Sequence, residues 1–228
     1  MKTPKDMSLT LRGLARLLNY PDDELRAHLG ELREALRQEA VLNAERAAEV
    51  DALITSLAAQ SDIDAEADYV QLFDSGRRTS LHLFEHVHGD SRDRGPAMID
   101  LAQTFEAAGL YLAEGEMPDH LPVVLEYAST QPPREARAFL GEMAHLLNAL
   151  FSALNERQSA YASVIGALLE LAGEKAQPVK LAPEEPLDAS WSEPPAFEGC
   201  SVKGQAKPGE PQPIRILRKT DTSRGEPS

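Results

Sequence analysis

The chain has 228 residues, a length that suits one globular domain with an appended segment and is sufficient to bury a hydrophobic core. Apolar residues make up 42% and charged residues 26%, a balance typical of a globular protein and not of a disordered one. The formal net charge of −14 argues against nucleic-acid phosphates and anionic membrane surfaces as partners, and it favours a basic peptide or protein.

Several other classes are disfavoured by missing features. Cys200 is the only cysteine, so neither an intramolecular disulfide nor a thiolate-rich metal site is possible. The N-terminal stretch MKTPKDMSLTLRGL lacks the apolar core of a signal peptide, and no run of about 18 apolar residues occurs. No glycine-rich phosphate-binding loop is present. The sequence therefore predicts a cytoplasmic protein that does not insert into a membrane.

Four helices are predicted between residues 8 and 73. Pro21 ends the first, Asp22 caps the second, the third covers about residues 43–60, and the fourth begins at Asp62. The predicted inward residues, three or four apart, are Leu11, Leu14, Ala15 and Leu18 in the first; Leu25, Leu29, Leu32 and Leu36 in the second; Val50, Leu53, Ile54 and Leu57 in the third; and Ile63, Ala67, Val70 and Phe73 in the fourth.

Helices are also predicted for most of residues 80–172. Ser80 is expected to cap a short helix that ends before Gly89, and Pro96 suits the first turn of the next. The predicted inward residues of that next helix are Met98, Leu101, Ala102, Phe105 and Ala108. After the irregular residues 109–122 come helices over residues 123–129, about 133–157 and 159–172. Because strand signals are nearly absent, we predict an all-α fold, a single compact bundle of about eight or nine helices.

The composition changes at Gly173. Nine of the sixteen prolines lie in the last 56 residues, where 8 basic and 9 acidic residues almost cancel. Residues 1–172 contain 15 basic and 28 acidic residues, so the helical part carries a net charge of −13. We predict a helical domain over residues 1–172 and an extended or disordered tail over residues 173–228. Candidate docking points in the tail are Trp191, Phe197 and residues 212–217.

Residues 82–86, HLFEH, match the pattern H-x-x-E-H by which inverzincin metalloproteases hold zinc. On a continuous helix His82 and His86 would share one face, and Glu85 would activate a water molecule. However, no acidic residue elsewhere stands out as the third ligand. The alternative, which we favour, makes this an ordinary amphipathic helix with His86 and Glu85 hydrogen-bonded at its margin. Its core residues would be Leu83, Phe84 and Val87.

Residues 116–122, EMPDHLP, form a second unusual segment. Asp119 is expected to cap the helix that follows, with Pro122 in its first turn. Two interpretations stay open. The segment is either a plain loop-to-helix junction, or a corner that docks a peptide or ligand, with Asp119 as an anion and His120 as a donor that pH can switch.

Two long runs of the sequence resemble a known family. They are YVQLFDSGRRTSLHLFEHVHGDSRDRGPAMIDL (residues 69–101) and GLYLAEGEMPDHLPVVLEYAS (residues 109–129). The Y-x-x-L-F-D helix end, the S-L-x-L-F-E-H-V-H-G run and the L-P-D-H-L-type corner, here with Met117 in place of leucine, closely resemble the molybdenum-cofactor assembly chaperones of respiratory nitrate reductase. These delta subunits belong to the redox-enzyme maturation chaperones. In that family the position of His82 need not be histidine, so the protease-like pattern would be incidental.

The resemblance implies a chaperone and not an enzyme, with no cofactor and no metal of its own. It would bind the N-terminal segment of the apo catalytic subunit of nitrate reductase and keep it competent for molybdenum-cofactor insertion. Molybdenum-cofactor delivery proteins are further candidate partners. The implied peptide-binding residues are Pro118, Asp119, His120, Tyr69, Phe73, Glu85, His86 and His88. Among these, Tyr69 and Phe73 would either line the groove or belong to the core. A zinc hydrolase and a permanent helical adaptor subunit remain as alternatives.

Overall fold

The computed structural model describes residues 5–88, 91–177 and 179. Within these ranges the chain forms eleven α-helices and a 3-10 helix, Arg77–Thr79, and no strand, so the predicted all-α fold is confirmed. The α-helices are α1 (Ser8–Leu17), α2 (Asp23–Ala27), α3 (Leu29–Glu39), α4 (Ala44–Ala59), α5 (Asp62–Phe73), α6 (Leu83–Val87), α7 (Arg94–Ala107), α8 (Leu121–Thr130), α9 (Pro133–Glu142), α10 (Ala144–Glu156) and α11 (Ala162–Ala172).

Two of the predicted helices are divided in the structure. The second becomes α2 and α3, separated at His28, and the long one becomes α9 and α10, separated at Met143. Both residues leave helical geometry, with φ −101° and ψ 6° at His28 and φ −91° and ψ 0° at Met143. Leucine spacing continues across both breaks, so periodicity alone does not reveal them.

Helix α11 forms the centre of the bundle. Ten of its eleven residues are buried, as expected for a helix that is apolar on all sides. Helices α1, α4, α9 and α10 pack against it. Its small residues allow close approach, and the guanidinium group of Arg46 lies directly over Gly166.

Helices α1 and α8 pack side by side along one flank of this core. Helix α1 buries one face, including Leu11, Leu14 and Leu17, and leaves Arg12 on the opposite face. Helix α8 buries six of its ten residues. The pair therefore provides a rigid wall beside which the loop of residues 108–120 lies.

Of the four predicted inward residues of α5 only Phe73 is buried, and the prediction is wrong for Ile63, Ala67 and Val70. Ile63 is 78% exposed and Val70 is 43% exposed, whereas Ala65, Tyr69 and Phe73 are buried. The buried set is spaced four residues apart, and it follows the aromatic side chains instead of the aliphatic ones. The aromatic side chains bury more apolar area, which favours this choice of face.

The predictions for α6 and α7 were correct only in part. In α6, Leu83 is buried, but Val87 is 52% exposed. In α7 only Phe105 of the predicted inward residues is buried. The others are half-buried (Met98, Leu101 and Ala102) or exposed (Ala108). Helix α7 therefore attaches to the bundle mainly through its C-terminal half.

Helix α11 ends at Ala172, and Gly173 has a positive φ of 83°, a conformation that glycine adopts without strain. The described residues after Gly173 contact α10, because the amide of Gln177 donates to Asn148 Oδ1 at 2.8 Å. The predicted docking points Trp191, Phe197 and 212–217, like Cys200, lie outside the described residues, and the tail stays a prediction. No helix in the described part of the chain is long and apolar enough to cross a bilayer.

Candidate functional site

Two segments that are distant in sequence meet at the N-terminal ends of α6 and α8. His82 and His120 form an isolated antiparallel bridge. The amide of Leu83 donates to Asp119 O at 3.0 Å, and the amide of Leu121 donates to Leu81 O at 2.9 Å. We call residues 80–84 and 117–121 together the α6/α8 corner. Both motifs singled out in the sequence therefore belong to one structural unit.

Asp119 is the buried centre of the corner. Its side chain has no exposed surface. One carboxylate oxygen, Oδ2, accepts the backbone amide of Phe84 at 3.1 Å, and Oδ1 lies 3.3 Å from His82 Nδ1. Arg94 Nη2 lies 3.8 Å from Oδ2. Such a group is stable in the interior because it is both hydrogen-bonded and paired with nearby cationic donors.

The expectation that Asp119 caps α8 is therefore wrong. It caps α6, a helix that lies 35 residues earlier in the chain. The residue that precedes α8 is His120, whose side chain makes no capping bond, and Pro122 occupies the first turn of α8. The bridge between the two segments turns the Asp119 carboxylate across the corner and away from its own helix.

The rings of His82 and His120 stack, with centroids 5.0 Å apart and planes inclined by 29°. The hydrogen bond to Asp119 raises the pKa of His82, partly opposed by burial. Burial, reinforced by the charge of His82, lowers the pKa of His120 to about 4. His120 is therefore neutral near pH 7 and can donate or accept a hydrogen bond.

The other residues of the S-L-x-L-F-E-H-V-H-G run support the corner. The ring of His86 makes a hydrogen bond through Nε2 to Ser80 O at 2.8 Å. Glu85 lies 3.6 Å from Arg94. His88 packs edge-on against the Phe84 ring at 5.4 Å. Glu85, His86 and His88 are therefore already engaged in contacts within the protein.

The zinc-like geometry of residues 82–86 is not formed. His82 precedes α6, so His82 and His86 do not share a helix face, and their rings bond to different groups. Across residues 5–88, 91–177 and 179, no group of three or more His, Cys, Asp or Glu side chains is placed to hold a metal ion. This geometry offers no support for the hydrolase alternative.

Tyr69 and Phe73 belong to the core and do not line a groove. They are 7% and 4% exposed, and their ring centroids lie 4.7 Å apart. Tyr161 packs edge-on against Phe73 at 5.1 Å, and the Tyr69 hydroxyl donates to Leu18 O at 2.8 Å. Burial raises the pKa of Tyr69, so its hydroxyl stays a hydrogen-bond donor. Of the two possibilities stated for these residues, the structure shows the core position.

An apolar groove runs between α1, the C-terminal end of α7, the loop of residues 108–120 and α8. Its volume is about 400 Å³. The floor is apolar and consists of Phe105, Leu110, Leu112, Val123 and Tyr127. The rim carries Arg12, Arg16, Glu116, Glu126 and Tyr111, and Tyr111 is 80% exposed. An aromatic side chain this exposed beside an apolar cavity is a common feature of binding surfaces.

A second cavity, of about 410 Å³, continues the groove toward the corner. It shares Glu116, Val123 and Glu126 with the first cavity. Its remaining lining residues are Asn19, His82, Gly115, Met117, His120 and Pro122. We call the two cavities together the α8 groove, with an apolar end near Tyr127 and a corner end near His120.

Of the eight candidate site residues, His120 alone lines the α8 groove. Pro118 and Asp119 are buried behind it. Glu85, His86 and His88 belong to α6 and the residue after it, on the other side of the corner. Sequence reasoning missed Tyr111, Glu116 and Glu126. Two signals in the sequence could have identified them: Tyr111 is an aromatic residue in the irregular segment, and Glu126 is the single charged residue of α8.

Comparisons with known proteins agree on one family. A family model described as the nitrate reductase delta subunit matches residues 19–165. The nitrate reductase molybdenum cofactor assembly chaperone NarJ of Escherichia coli strain K12 is 42% identical over 190 residues, 79% of this chain and 80% of the relative. A protein named as a probable chaperone of the same kind in Bacillus subtilis strain 168 is 32% identical over 164 residues, 72% of this chain and 88% of the relative.

A solved structure shares the fold. The crystal structure of a candidate redox enzyme maturation protein from Archaeoglobus fulgidus superimposes with a TM-score of 0.52 at 21% sequence identity. The match covers 76% of this chain and 98% of that chain. At this level of identity the similarity shows a common helical architecture.

Proposed function

The chain belongs to the nitrate reductase delta subunit family, and on that basis we propose that it binds the N-terminal segment of the cofactor-free catalytic subunit of nitrate reductase in the cytoplasm. It would keep that subunit competent for molybdenum-cofactor insertion and leave afterwards. The relatives are named as assembly chaperones and not as catalysts, so this protein is not an enzyme. Molybdenum-cofactor delivery proteins are secondary candidate partners.

The observation that carries the proposal is the apolar floor of the α8 groove. Helix α8 has 10 residues and is about 15 Å long. If the bound segment, the client, is helical, about three of its turns would lie along α8. An amphipathic helix binds such a groove through its apolar face. Burial of apolar area contributes about 25 cal/mol per Å², and most of the affinity would come from this term.

The charge of the protein supports a basic client. Residues 1–172 carry 28 acidic and 15 basic side chains. A negative field of this kind raises the encounter rate of a positively charged segment, and it affects specificity more than final affinity. A basic, partly apolar N-terminal segment meets both requirements of the groove.

The α6/α8 corner would act as the support of this groove. Asp119 and Pro118 are buried, so they do not contact a ligand directly. They hold the N-terminal end of α8 and the ring of His120 in place. Substitutions at Asp119 would therefore affect client binding through the shape of the corner end.

A retention experiment tests the proposal. The tagged full-length chain is incubated with extracts of cells that cannot make molybdenum cofactor, and the retained catalytic subunit is quantified. We expect the apo subunit to be retained and a version without its N-terminal segment to be lost. Equal retention of both versions would contradict recognition through that segment.

The same experiment decides between a transient chaperone and a permanent adaptor. Extracts of cofactor-sufficient cells supply the loaded enzyme, and we expect this form not to be retained. Stable co-purification with the loaded enzyme would instead indicate an adaptor subunit that stays in the complex.

A further inference from the structure

Charged residues are distributed unevenly along the α8 groove. Glu116 and Glu126 line both cavities. Arg12 and Arg16 lie on the α1 side of the apolar end. The two glutamates therefore lie where the cavities meet, whereas the two arginines line the apolar cavity alone, and a ligand with a fixed charge order would favour one direction of binding.

The two basic residues are already engaged within the protein. Arg12 Nε donates to Ser129 Oγ at 3.2 Å, and Arg16 Nη2 lies 3.6 Å from a carboxylate oxygen of Glu24. The carboxylate of Glu126 has neither a hydrogen bond nor an ion pair within the described part of the chain. It is thus available to an incoming cation.

The two glutamates also repel each other. Glu116 Oε2 accepts the amide of Ala113 at 3.0 Å, which holds this carboxylate at the rim. Burial and then the charge of Glu116 raise the pKa of Glu126, and the charges of Arg16 and Arg12 oppose the increase. A cation placed between the two carboxylates would relieve this repulsion.

We propose, on the basis of the proposed function, that the α8 groove selects an amphipathic client segment with a lysine or arginine that lies between Glu116 and Glu126. The apolar face of the segment contacts Phe105, Val123 and Tyr127. The cation then lies where the two cavities meet, since Glu116 and Glu126 line both of them. The glutamate pair determines the direction in which the segment binds, and the apolar floor supplies most of the affinity.

Titration calorimetry with a synthetic peptide tests the inference. The peptide is the N-terminal segment of the catalytic subunit from the same organism, and each lysine or arginine is replaced by glutamine in turn. The protein variants are Glu116→Gln with Glu126→Gln, and Glu114→Gln as the matched control. Glu114 lies in the same loop and is exposed, but it does not line the groove.

We expect the double variant to bind the unmodified peptide about 3- to 10-fold more weakly, as two partly exposed charge pairs would predict. Glu114→Gln should bind as the wild type does. One glutamine-substituted peptide should bind both the wild type and the double variant with the same reduced affinity, because the cation and the glutamates act as a pair. Charge reversal at both sites, Glu116→Arg with Glu126→Arg, should restore binding of a peptide with glutamate at that position.

Two results overturn the inference, and a third concerns the proposed function alone. If the wild type binds the peptide and the double variant loses no more affinity than Glu114→Gln, the glutamate pair does not select a cation. If the effects are additive for every peptide position, the charges do not meet. If the wild type does not bind the peptide at all, the proposed function fails, and with it the basis of this inference.

Discussion

Asp119 is a buried residue that joins the two segments of the α6/α8 corner. Its carboxylate accepts the amide of Phe84, lies beside His82 and Arg94, and has no exposed surface. The proline-aspartate-histidine corner thus contains residues of two kinds. Asp119 and Pro118 are structural, whereas His120 faces the α8 groove. Substitutions at adjacent positions should therefore have different consequences.

Asp119→Ala should reduce the free energy of unfolding by about 3 kcal/mol. The substitution leaves the buried amide of Phe84 unpaired and removes the partner of His82 and Arg94. Asp119→Asn keeps a side-chain acceptor for the amide and should cost less. Urea unfolding followed by circular dichroism measures both, and an unchanged midpoint for Asp119→Ala would contradict the structural role.

Acid should destabilise the protein through His120. Its pKa in the folded state is about 4, whereas the unfolded value is near 6.5. The unfolded chain therefore binds a proton first, so the contribution of neutral His120 is complete above pH 6.5 and is lost as the pH falls from about 6.5 to about 4. His82 acts in the opposite direction, because its raised pKa adds stability below pH 6.5.

Urea midpoints measured across this pH range for two variants separate the two histidines. His120→Asn should flatten the loss of stability toward low pH. His82→Asn should flatten it less, because it removes only the part of the low pKa of His120 that the charge of His82 causes, and burial is the larger cause. Identical profiles for wild type and His120→Asn would show that the fold does not hold His120 in its neutral form.

At the scale of helices and loops, the side chains that become buried depend more on the neighbouring elements than on the local sequence pattern. Helix α5 turns Tyr69 inward and leaves Ile63 exposed, although the spacing of its apolar residues predicts Ile63 as inward. The loop of residues 108–120 carries Tyr111 at the groove rim. Gly109 and Gly115 flank Tyr111 with φ of 81° and 88°, values that other residues rarely adopt. These glycines give the loop the sharp turns that bring Tyr111 there.

Tyr111→Ala should weaken client binding about 5-fold while leaving stability within about 0.5 kcal/mol, because the ring is 80% exposed and contributes to a groove, not to the core. Ile63→Ala is the matched control, since Ile63 is 78% exposed on α5 and does not line the groove. Calorimetric titration with the client peptide and thermal unfolding measure the two effects. Equal affinity of the two variants would show that Tyr111 is not part of the site.

At the largest scale, the helices of the described residues share one hydrophobic core, and residues 1–172 carry a net charge of −13. The core is continuous from α1 to α11, and the α8 groove opens on the flank formed by α1 and α8. The family resemblance seen in the sequence is confirmed by the match over residues 19–165. On the proposed function, the apolar groove would supply contact area and the net charge would attract a basic client from solution.

Client binding should weaken as salt is added. The Debye length falls from about 10 Å at 0.1 M salt to about 3 Å at 1 M, so salt screens the attraction between the acidic residues of this protein and a basic client. We expect the association rate measured by stopped-flow fluorescence to fall more than the dissociation rate rises. A flat salt response would indicate that the acidity serves only to keep the protein dispersed.

Patterns in the sequence were enough to predict the fold class, the positions of most helices and the family. Apolar spacing, Pro21 after α1 and Gly173 after α11 act over a few residues, so these features can be recognised from local patterns. The two corner motifs were also recognised, although the roles of their residues were not. The resemblance identified the segments but did not distinguish supporting residues from those that face a ligand.

Which residues line the α8 groove depends on the tertiary structure. Asp119 caps α6 because residues 82 and 120 pair across a separation that no local pattern encodes. In the same way, Tyr111, Glu116 and Glu126 meet only after α1, α7 and α8 have packed together. Local periodicity specifies which face of a helix is apolar, but the partner of that face depends on the packing of the whole chain, and a groove exists only between packed partners.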